Sequence, residues 1–163
     1  MSNELAVIIA IWVIFPIILY FAVPRERIRE MIAVFLFFQM LTWLFSIVMT
    51  KFGVLSAPIR EFPEATKINF SSEYIVFPTA AVFFQRWYPE NGGKIKKAIH
   101  YLYSVGGIIL FLLIIGRTTD LMNAKPQTSA INFLFELMLC RSYIVWMLKG
   151  EPFTKSLKRH DVV

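Results

Sequence analysis

The sequence has few of the residues that catalytic, metal and disulfide sites require. Cys140 is its single cysteine, so no disulfide can form within the chain. Its two histidines, His100 and His160, lack the spacing of a metal site. The sequence contains no glycine-rich phosphate loop, no Gly-x-Ser-x-Gly nucleophile elbow and no His-Glu-x-x-His helix. We therefore expect a protein that is not an enzyme and that binds no metal and no cofactor.

Charge is also scarce, and long apolar runs take its place. Charged residues make up 17% of the chain and hydrophobic residues 57%, and 16 of the 163 residues are Phe. A soluble domain of this size cannot bury so much apolar surface in its own core. The stretches at 5–24, 31–50 and 98–116 contain no Asp, Glu, Lys or Arg, and about 20 such residues in a helix cross the hydrocarbon core of a bilayer. The lipid bilayer is therefore the first predicted partner.

Two more stretches complete the predicted fold, which is an all-α integral membrane bundle of about five transmembrane helices in one domain covering 1–163. The stretch at 130–148 is as long as a span, although it contains Glu136 and Arg141. The stretch at 72–88 is shorter between its charges, so it is either a span with aromatic ends or a re-entrant segment. The predicted spans lie at about 5–23, 31–50, 72–88, 98–116 and 130–148, and a short basic tail follows at 149–163.

The positions of the basic residues predict the orientation of the bundle. Eleven of the 17 Lys and Arg residues fall in the connections and tail on one side of the predicted spans, five fall on the other side, and Arg141 lies within a span. Because Lys and Arg are retained in the cytoplasm, we expect the N-terminus outside and the C-terminus in the cytoplasm. The net charge of +6 then sets topology and attracts anionic lipid. It does not indicate a nucleic-acid partner, because there is no basic soluble domain to bind one.

Glu136 and Arg141 are the costliest residues of the last span, because a charged side chain near the centre of a membrane helix costs about 2.5–3.5 kcal/mol. They lie about 140° apart around a helix, so each needs a partner on another span. Gln39 lies at a similar depth to Arg141, and Arg117 is within reach of Glu136, which is otherwise protonated. Glu136, Arg141 and Gln39 therefore form a candidate intramembrane polar site. It either ties helices together or lines a path for a proton, an ion or a substrate.

A second set of candidate residues lies in the predicted outer connection and at the ends of spans. The connection at 51–72 is the longest in the chain and mixes prolines with charges of both signs, which indicates an irregular surface loop. Ser71 or Ser72 can cap the following helix, which places Glu73 in its first turn, where the helix dipole favours an anion. The candidate outer residues are Glu61, Glu64, Glu73 and Arg117.

One segment carries a resemblance to a known family. An aromatic-rich loop leads into NFSSEYIVFPTAAVFFQRWYP at 69–89, and the last span is charged. Together with about five spans, this layout resembles a family of small polytopic membrane proteins of spore-forming Gram-positive bacteria, most clearly over 61–89. The resemblance implies a bacterial plasma membrane and a link to sporulation or the cell envelope. It implies no activity and no site residues.

Two classes of function are consistent with the sequence. The first is a non-enzymatic accessory or interaction component of the bacterial plasma membrane, which binds lipid, a protein partner or a second copy of itself. The second is a small oligomeric carrier or channel that uses Glu136 and Arg141. No inverted or parallel repeat is visible, and this disfavours a carrier because many carriers are built from repeats. The short chain without a recognisable site favours the accessory component.

Overall fold

Helices make up most of the part of the chain that the structure describes. The structure is a computed structural model, and it describes residues 3–53, 55–56, 61–62, 64, 69–119, 123–124 and 126–148. The predicted tail at 149–163 lies outside the described residues. In chain order the helices are α1 (Asn3–Ala22), α2 (Ile28–Lys51), a π-helical segment (Ser72–Val76) that continues directly into α3 (Phe77–Arg86), α4 (Lys94–Thr118) and α5 (Pro126–Met147).

Proline and glycine set several of the helix ends. α1 ends at Ala22, and Pro24, in an extended conformation, leads into a short 3-10 turn, Arg25–Arg27. α2 ends two residues before Gly53, which has a φ of 68°. Glycine adopts this left-handed conformation at little cost because it has no Cβ atom, and it is therefore common just after the end of a helix. α5 begins at Pro126, where a helix does not need the amide proton that proline lacks.

The all-α prediction is confirmed, and four of the described helices are long and apolar enough to cross a membrane. They lie at Glu4–Ala22, Arg25–Lys51, Lys94–Thr118 and Gln127–Met147. These helices overlap the first, second, fourth and fifth predicted spans. The third predicted span, 72–88, overlaps the shorter helix at 70–86, so a bundle of five spans stays a prediction.

Successive helices run in opposite directions through the bundle. Glu73 contacts Ser46 late in α2, whereas Gln85 contacts Glu30 at the start of α2, so the helix at 70–86 runs antiparallel to α2. α5 runs parallel to the helix at 70–86, because Arg141, near the end of α5, contacts Gln85, near the end of that helix. We call the end of the bundle with Glu30 and Gln85 the basic end, because its turns and helix ends contain Arg25, Arg27, Arg29, Arg86, Lys94, Lys96 and Lys97.

A two-residue strand pair joins two connections at the opposite end. β1 (Leu55–Ser56) pairs antiparallel with β2 (Asn123–Ala124), with Leu55 opposite Ala124 and Ser56 opposite Asn123. The pair links the chain after α2 to the chain before α5. It therefore holds together two connections that are far apart in the sequence.

The most deeply buried core lies between α2, α3 and α5. Phe133 of α5 contacts Phe38 of α2 and Phe77 of α3, with ring centroids 5.5 and 6.0 Å apart. The buried residues of α5 recur at three- to four-residue spacing, which places them on one face; they are Phe133, Glu136, Leu137, Cys140 and Ile144. Because lipid tails are as apolar as these side chains, close packing and polar contacts hold such a core together in a membrane.

The helix at 70–86 begins inside the bundle, beside Ser46 and not at the end of α2. A buried helix start leaves amide groups that need acceptors from the protein. The first two amide groups donate to the Glu61 carboxylate at 3.0 and 2.9 Å. The next two donate to the side-chain and backbone oxygens of Asn69, at 2.9 and 3.3 Å. Glu61, a candidate outer residue, is thus a cap for the buried helix start.

We expect Glu61→Ala to lower the free energy of unfolding by about 1.5–3 kcal/mol, the range for hydrogen bonds to a charged group. The free energy can be measured by SDS titration in mixed micelles, followed by circular dichroism. Glu64→Ala is the control, because Glu64 is exposed in the same connection, and it should change the free energy by less than about 0.5 kcal/mol. Equal losses in the two variants would contradict a capping role for Glu61.

Candidate functional site

Glu73 is a buried carboxyl with incomplete hydrogen bonding. Its residue is 1% exposed. Its Oε1 atom accepts a hydrogen bond of 2.6 Å from the hydroxyl of Ser46. Its Oε2 atom is buried and has no hydrogen-bond partner in the described part of the chain. Because a buried polar atom without a partner is costly, Glu73 requires an explanation beyond packing.

The backbone around Glu73 is itself irregular. Ser72–Val76 is π-helical, and Pro78 follows within the next turn. Proline has no amide proton, so it leaves a carbonyl of the preceding turn without its helical donor. With π-helical spacing that carbonyl belongs to Glu73, and the hydroxyl of Thr42 lies 3.3 Å from it. Single π-helical turns occur frequently at functional sites.

A second buried carboxyl group, that of Glu136, lies on α5. It is 2% exposed, and its Oε1 atom accepts a hydrogen bond of 2.7 Å from the side-chain amide of Asn132, one turn earlier in α5. The two carboxyl groups are close enough to interact electrostatically. Neither of them forms an ion pair with any residue that the structure describes. We call Glu73 and Glu136 the carboxyl pair.

The carboxyl pair can hold a proton or a small cation. Two carboxylates that interact in a low-dielectric interior cannot both stay charged without a neutralising partner. A single proton or a monovalent cation bound by one of them removes most of that repulsion. Within the described ranges, no three His, Cys, Asp or Glu side chains come together as metal ligands. The donor set therefore fits a singly charged ligand better than a metal that needs three or four protein ligands.

A second polar cluster lies at the basic end and begins at Glu30. Glu30 is 1% exposed, yet its carboxylate is fully paired. It accepts two hydrogen bonds from the guanidinium of Arg27, at 2.9 and 2.7 Å. A third comes from the side-chain amide of Gln85, at 2.8 Å. The start of α2 is thus joined to the 3-10 turn and to α3.

Arg141 extends this cluster to α5. Its Nη1 atom donates to the side-chain oxygen of Gln85 at 3.1 Å, and its Nη2 atom donates to the carboxylate of Glu90. Its guanidinium carbon lies 4.2 Å from the centre of the Tyr88 ring, a cation–π contact. Two positive and two negative side chains neutralise each other here. We call these residues the charge cluster: Arg27, Glu30, Gln85, Glu90 and Arg141.

The partners of Glu136 and Arg141 differ from those that their depth suggests. Depth alone points to Gln39 for Arg141, but Arg141 donates to residues of α3 and of the turn that follows it. Depth also points to Arg117 for Glu136, but Arg117 is exposed in the last turn of α4. The reason is that helix rise fixes how deep a residue lies, whereas the rotation of each helix decides what it contacts.

The other predicted site residues fall in different places. Gln39 is half-buried, and its backbone carbonyl lies 3.1 Å from the hydroxyl of Thr42. Glu64 is exposed. Glu73 joins Glu136 in the carboxyl pair, although the sequence placed the two in separate sets. The structure therefore brings together one residue of the intramembrane set and one of the outer set.

Sequence reasoning missed Glu30, Gln85 and Glu90. Glu30 belongs to a run of alternating charges that looks like a solvated turn, and its spacing of three from Arg27 is only a weak sign of an ion pair. Gln85 stands in an otherwise apolar helix and Glu90 in a polar turn. No local pattern connects the three, because they come together only when four elements pack.

The fold and these two polar sites define an α-helical protein in which four of the described helices are apolar enough to cross a membrane, with acidic side chains buried and basic side chains partly buried between helices. No protein-family model, no curated protein and no solved structure matches the chain. Its function must therefore be inferred from the residues of the two sites.

Proposed function

We propose that the protein is a small membrane carrier or channel component that binds a proton or a monovalent cation at the carboxyl pair. The observation that carries this proposal is the lack of a neutralising partner: Glu73 and Glu136 are each buried, neither forms an ion pair with a described residue, and Oε2 of Glu73 has no donor among the described residues. Ionisable groups that face the interior of a membrane bundle mark ion and proton paths. The carrier predicted from the sequence uses Glu136 and Arg141. We keep Glu136 as a ligand-binding residue and propose Glu73 in place of Arg141.

The surroundings of the pair support binding and release of such a ligand. Ser46 and Asn132 already bind one oxygen of each carboxyl, so they hold the pair in position and leave other oxygens for a ligand. The π-helical turn at Glu73 interrupts the regular α-helical hydrogen bonding beside the pair, and single π-helical turns occur frequently at functional sites. A proton and a cation compete for the same oxygens, so we expect cation binding to weaken as the pH falls.

The test is ion flux in proteoliposomes that contain the purified protein and, in separate samples, a dye sensitive to pH, to Na⁺ or to K⁺. We expect an imposed H⁺, Na⁺ or K⁺ gradient to drive a proton or cation flux above that of protein-free vesicles. Glu73→Gln and Glu136→Gln should each reduce this flux by about tenfold or more, because an amide neither releases a proton nor carries negative charge.

Glu64→Gln is the matched control, since Glu64 is an exposed glutamate outside the pair, and its flux should equal that of the parent. Circular dichroism and the free energy of unfolding show whether each Gln variant is folded. Absence of flux for all three ions in the parent, or equal flux in the parent and in folded Gln variants, would exclude this function.

The accessory-component function is the second candidate, and one observation favours it. Every charge of the charge cluster has a partner within the chain, which is the arrangement of a structural tie between helices. Under this function Arg141 holds the bundle together and the protein acts by binding a partner protein. Specific copurification of one partner from native membranes, together with no flux in proteoliposomes, would select it.

Location and orientation are proposals that accompany both candidates. We propose that the basic end faces the cytoplasm, because basic residues are retained there. The resemblance to proteins of spore-forming bacteria supports a bacterial plasma membrane and a role in sporulation or the cell envelope. Reporter fusions at each terminus test the orientation, which predicts an external N-terminus and a cytoplasmic C-terminus.

A further inference from the structure

A groove runs along α4 between α1 and α3. Its volume is about 730 Å³, which lies within the range of about 300–1,000 Å³ that is usual for ligand pockets. Its lining is almost entirely apolar and aromatic, and it includes Phe15, Ala80, Phe83, Trp87, Tyr103 and Gly107. The groove lies along α4, which is one of the described helices that are long and apolar enough to cross a membrane.

Gly107 keeps the groove open. A Cβ atom built on Gly107 meets no atom within 4 Å in the described structure. Gly107 lies one turn after Ser104, which also lines the groove. Gly107 therefore does not serve close contact with a neighbouring helix of the described chain. It makes room that a ligand can fill.

The groove is closed at one end and reaches the basic end at the other. Phe15 of α1 and Phe111 of α4 touch at its far end, with ring centroids 6.0 Å apart. Trp87 and His100 line its other end. A transmembrane helix, about 10 Å across with its side chains, would need a groove open at both ends. A flexible hydrocarbon chain can enter from the basic end and stop at the phenylalanines.

Positive charge lies where such a chain would leave the groove. The guanidinium carbon of Arg86 lies 5.3 Å from the centre of the Trp87 ring. Lys96 is one turn before His100 on the same face of α4 and is exposed. Basic residues at the ends of membrane helices attract anionic lipid headgroups.

One buried polar group along the groove also lacks a partner. Thr79 lines the groove, is 0% exposed, and its hydroxyl oxygen has no hydrogen-bond partner in the described part of the chain. A hydroxyl group in the wall of the groove that has no partner can donate to an ester carbonyl of a lipid.

We infer that this groove binds an acyl chain of an anionic phospholipid, whose headgroup contacts Arg86 and Lys96 at the basic end. This inference is independent of the carboxyl pair, and it assigns a specific lipid partner to a protein with either proposed function. The apolar lining binds the acyl chain, and the closed far end limits how far that chain enters. The positive charges of Arg86 and Lys96 select the anionic headgroup.

The test is lipid binding to the purified protein in a neutral detergent, measured by native mass spectrometry. We expect saturable binding of phosphatidylglycerol about tenfold tighter than that of phosphatidylcholine with the same acyl chains. Gly107→Leu should weaken phosphatidylglycerol binding by about tenfold, because its side chain occupies the groove. Gly106→Leu is the matched control: Gly106 also has open space at its Cβ but does not line the groove, so binding should be unchanged.

The charges are tested by substitution at the basic end. Arg86→Gln combined with Lys96→Gln should reduce the preference for phosphatidylglycerol to below about twofold, while Lys94→Gln, on another face of the same helix turn, should preserve it. Equal loss in the Gly106→Leu and Gly107→Leu variants, or equal affinity of the parent for both lipids, would overturn the inference. So would a stable dimer that Gly107→Leu dissociates, because the groove would then bind a second copy of the chain.

Discussion

Replacing Glu30 by Ala is expected to lower the free energy of unfolding by about 3–5 kcal/mol, the cost of removing one partner of a buried ion pair. Glu30 is 1% exposed and accepts hydrogen bonds from Arg27 and Gln85. Without its carboxylate, the half-buried guanidinium of Arg27 and the buried amide of Gln85 lose their acceptor. SDS titration in mixed micelles, followed by circular dichroism, measures the change.

Glu26 provides the matched control for Glu30. It lies in the 3-10 turn directly before α2, it is exposed, and it has no hydrogen bond to a residue that the structure describes. Glu26→Ala should change the free energy of unfolding by less than about 0.5 kcal/mol. Glu30→Gln keeps the shape and one carbonyl acceptor, so it should lie between Glu30→Ala and the parent. If Glu30→Ala and Glu26→Ala lose the same small amount, the charge cluster does not stabilise the bundle.

Replacing Arg141 by Ala is expected to lower the free energy of unfolding by about 2–4 kcal/mol. The substitution removes the hydrogen bonds to Gln85 and Glu90 and the cation–π contact with Tyr88. Arg141→Lys should recover less than half of this loss. An ammonium group is a compact point charge, so it cannot contact Gln85, Glu90 and the aromatic ring together as a planar guanidinium does. The same SDS titration compares the three proteins.

Glu90→Ala separates the exposed ion pair from the buried contacts of Arg141. The side chain of Glu90 is 48% exposed, so its removal should cost less than about 1 kcal/mol, as for surface ion pairs. If Arg141→Lys is as stable as the parent, the geometry of the guanidinium does not matter.

Proteoliposome flux adds a functional measure: folded Arg141→Ala should retain the flux that Glu136→Gln loses, because Arg141 belongs to the charge cluster and not to the carboxyl pair.

The helices of the bundle could be predicted from the sequence, whereas the partners of its polar residues could not. Apolar runs such as 31–50 and 98–116 mark α2 and α4 because a helix is the only way for so long an apolar segment to satisfy its backbone in a bilayer. The cost of a charge in a membrane also identified Glu136 and Arg141 as the residues of α5 that need partners. Their actual partners, Asn132 for Glu136 and Gln85 for Arg141, depend on how the helices pack.

The carboxyl pair shows most clearly why local patterns do not suffice. Glu73 looks like an ordinary first-turn acid near a surface loop, because serines precede it and the connection before it is polar. In the structure its helix starts inside the bundle, capped by Glu61 and Asn69. Glu73 therefore contacts Ser46 and lies within electrostatic range of Glu136. A sequence window of a few residues does not show how deep inside a bundle a helix begins.

The sequence by itself indicated that this chain is helical, that it has apolar segments long enough to cross a membrane, about five by prediction, and that the last of these segments carries charges which need partners. These properties follow from the length and composition of single segments. Only the tertiary structure decided that Glu136 and Glu73 are buried within electrostatic range of each other, that Arg141 joins Glu30 through Gln85, and that a groove opens beside Gly107. The physical reason is that each of these features depends on the rotation and relative height of several helices, which hydropathy along one helix does not specify.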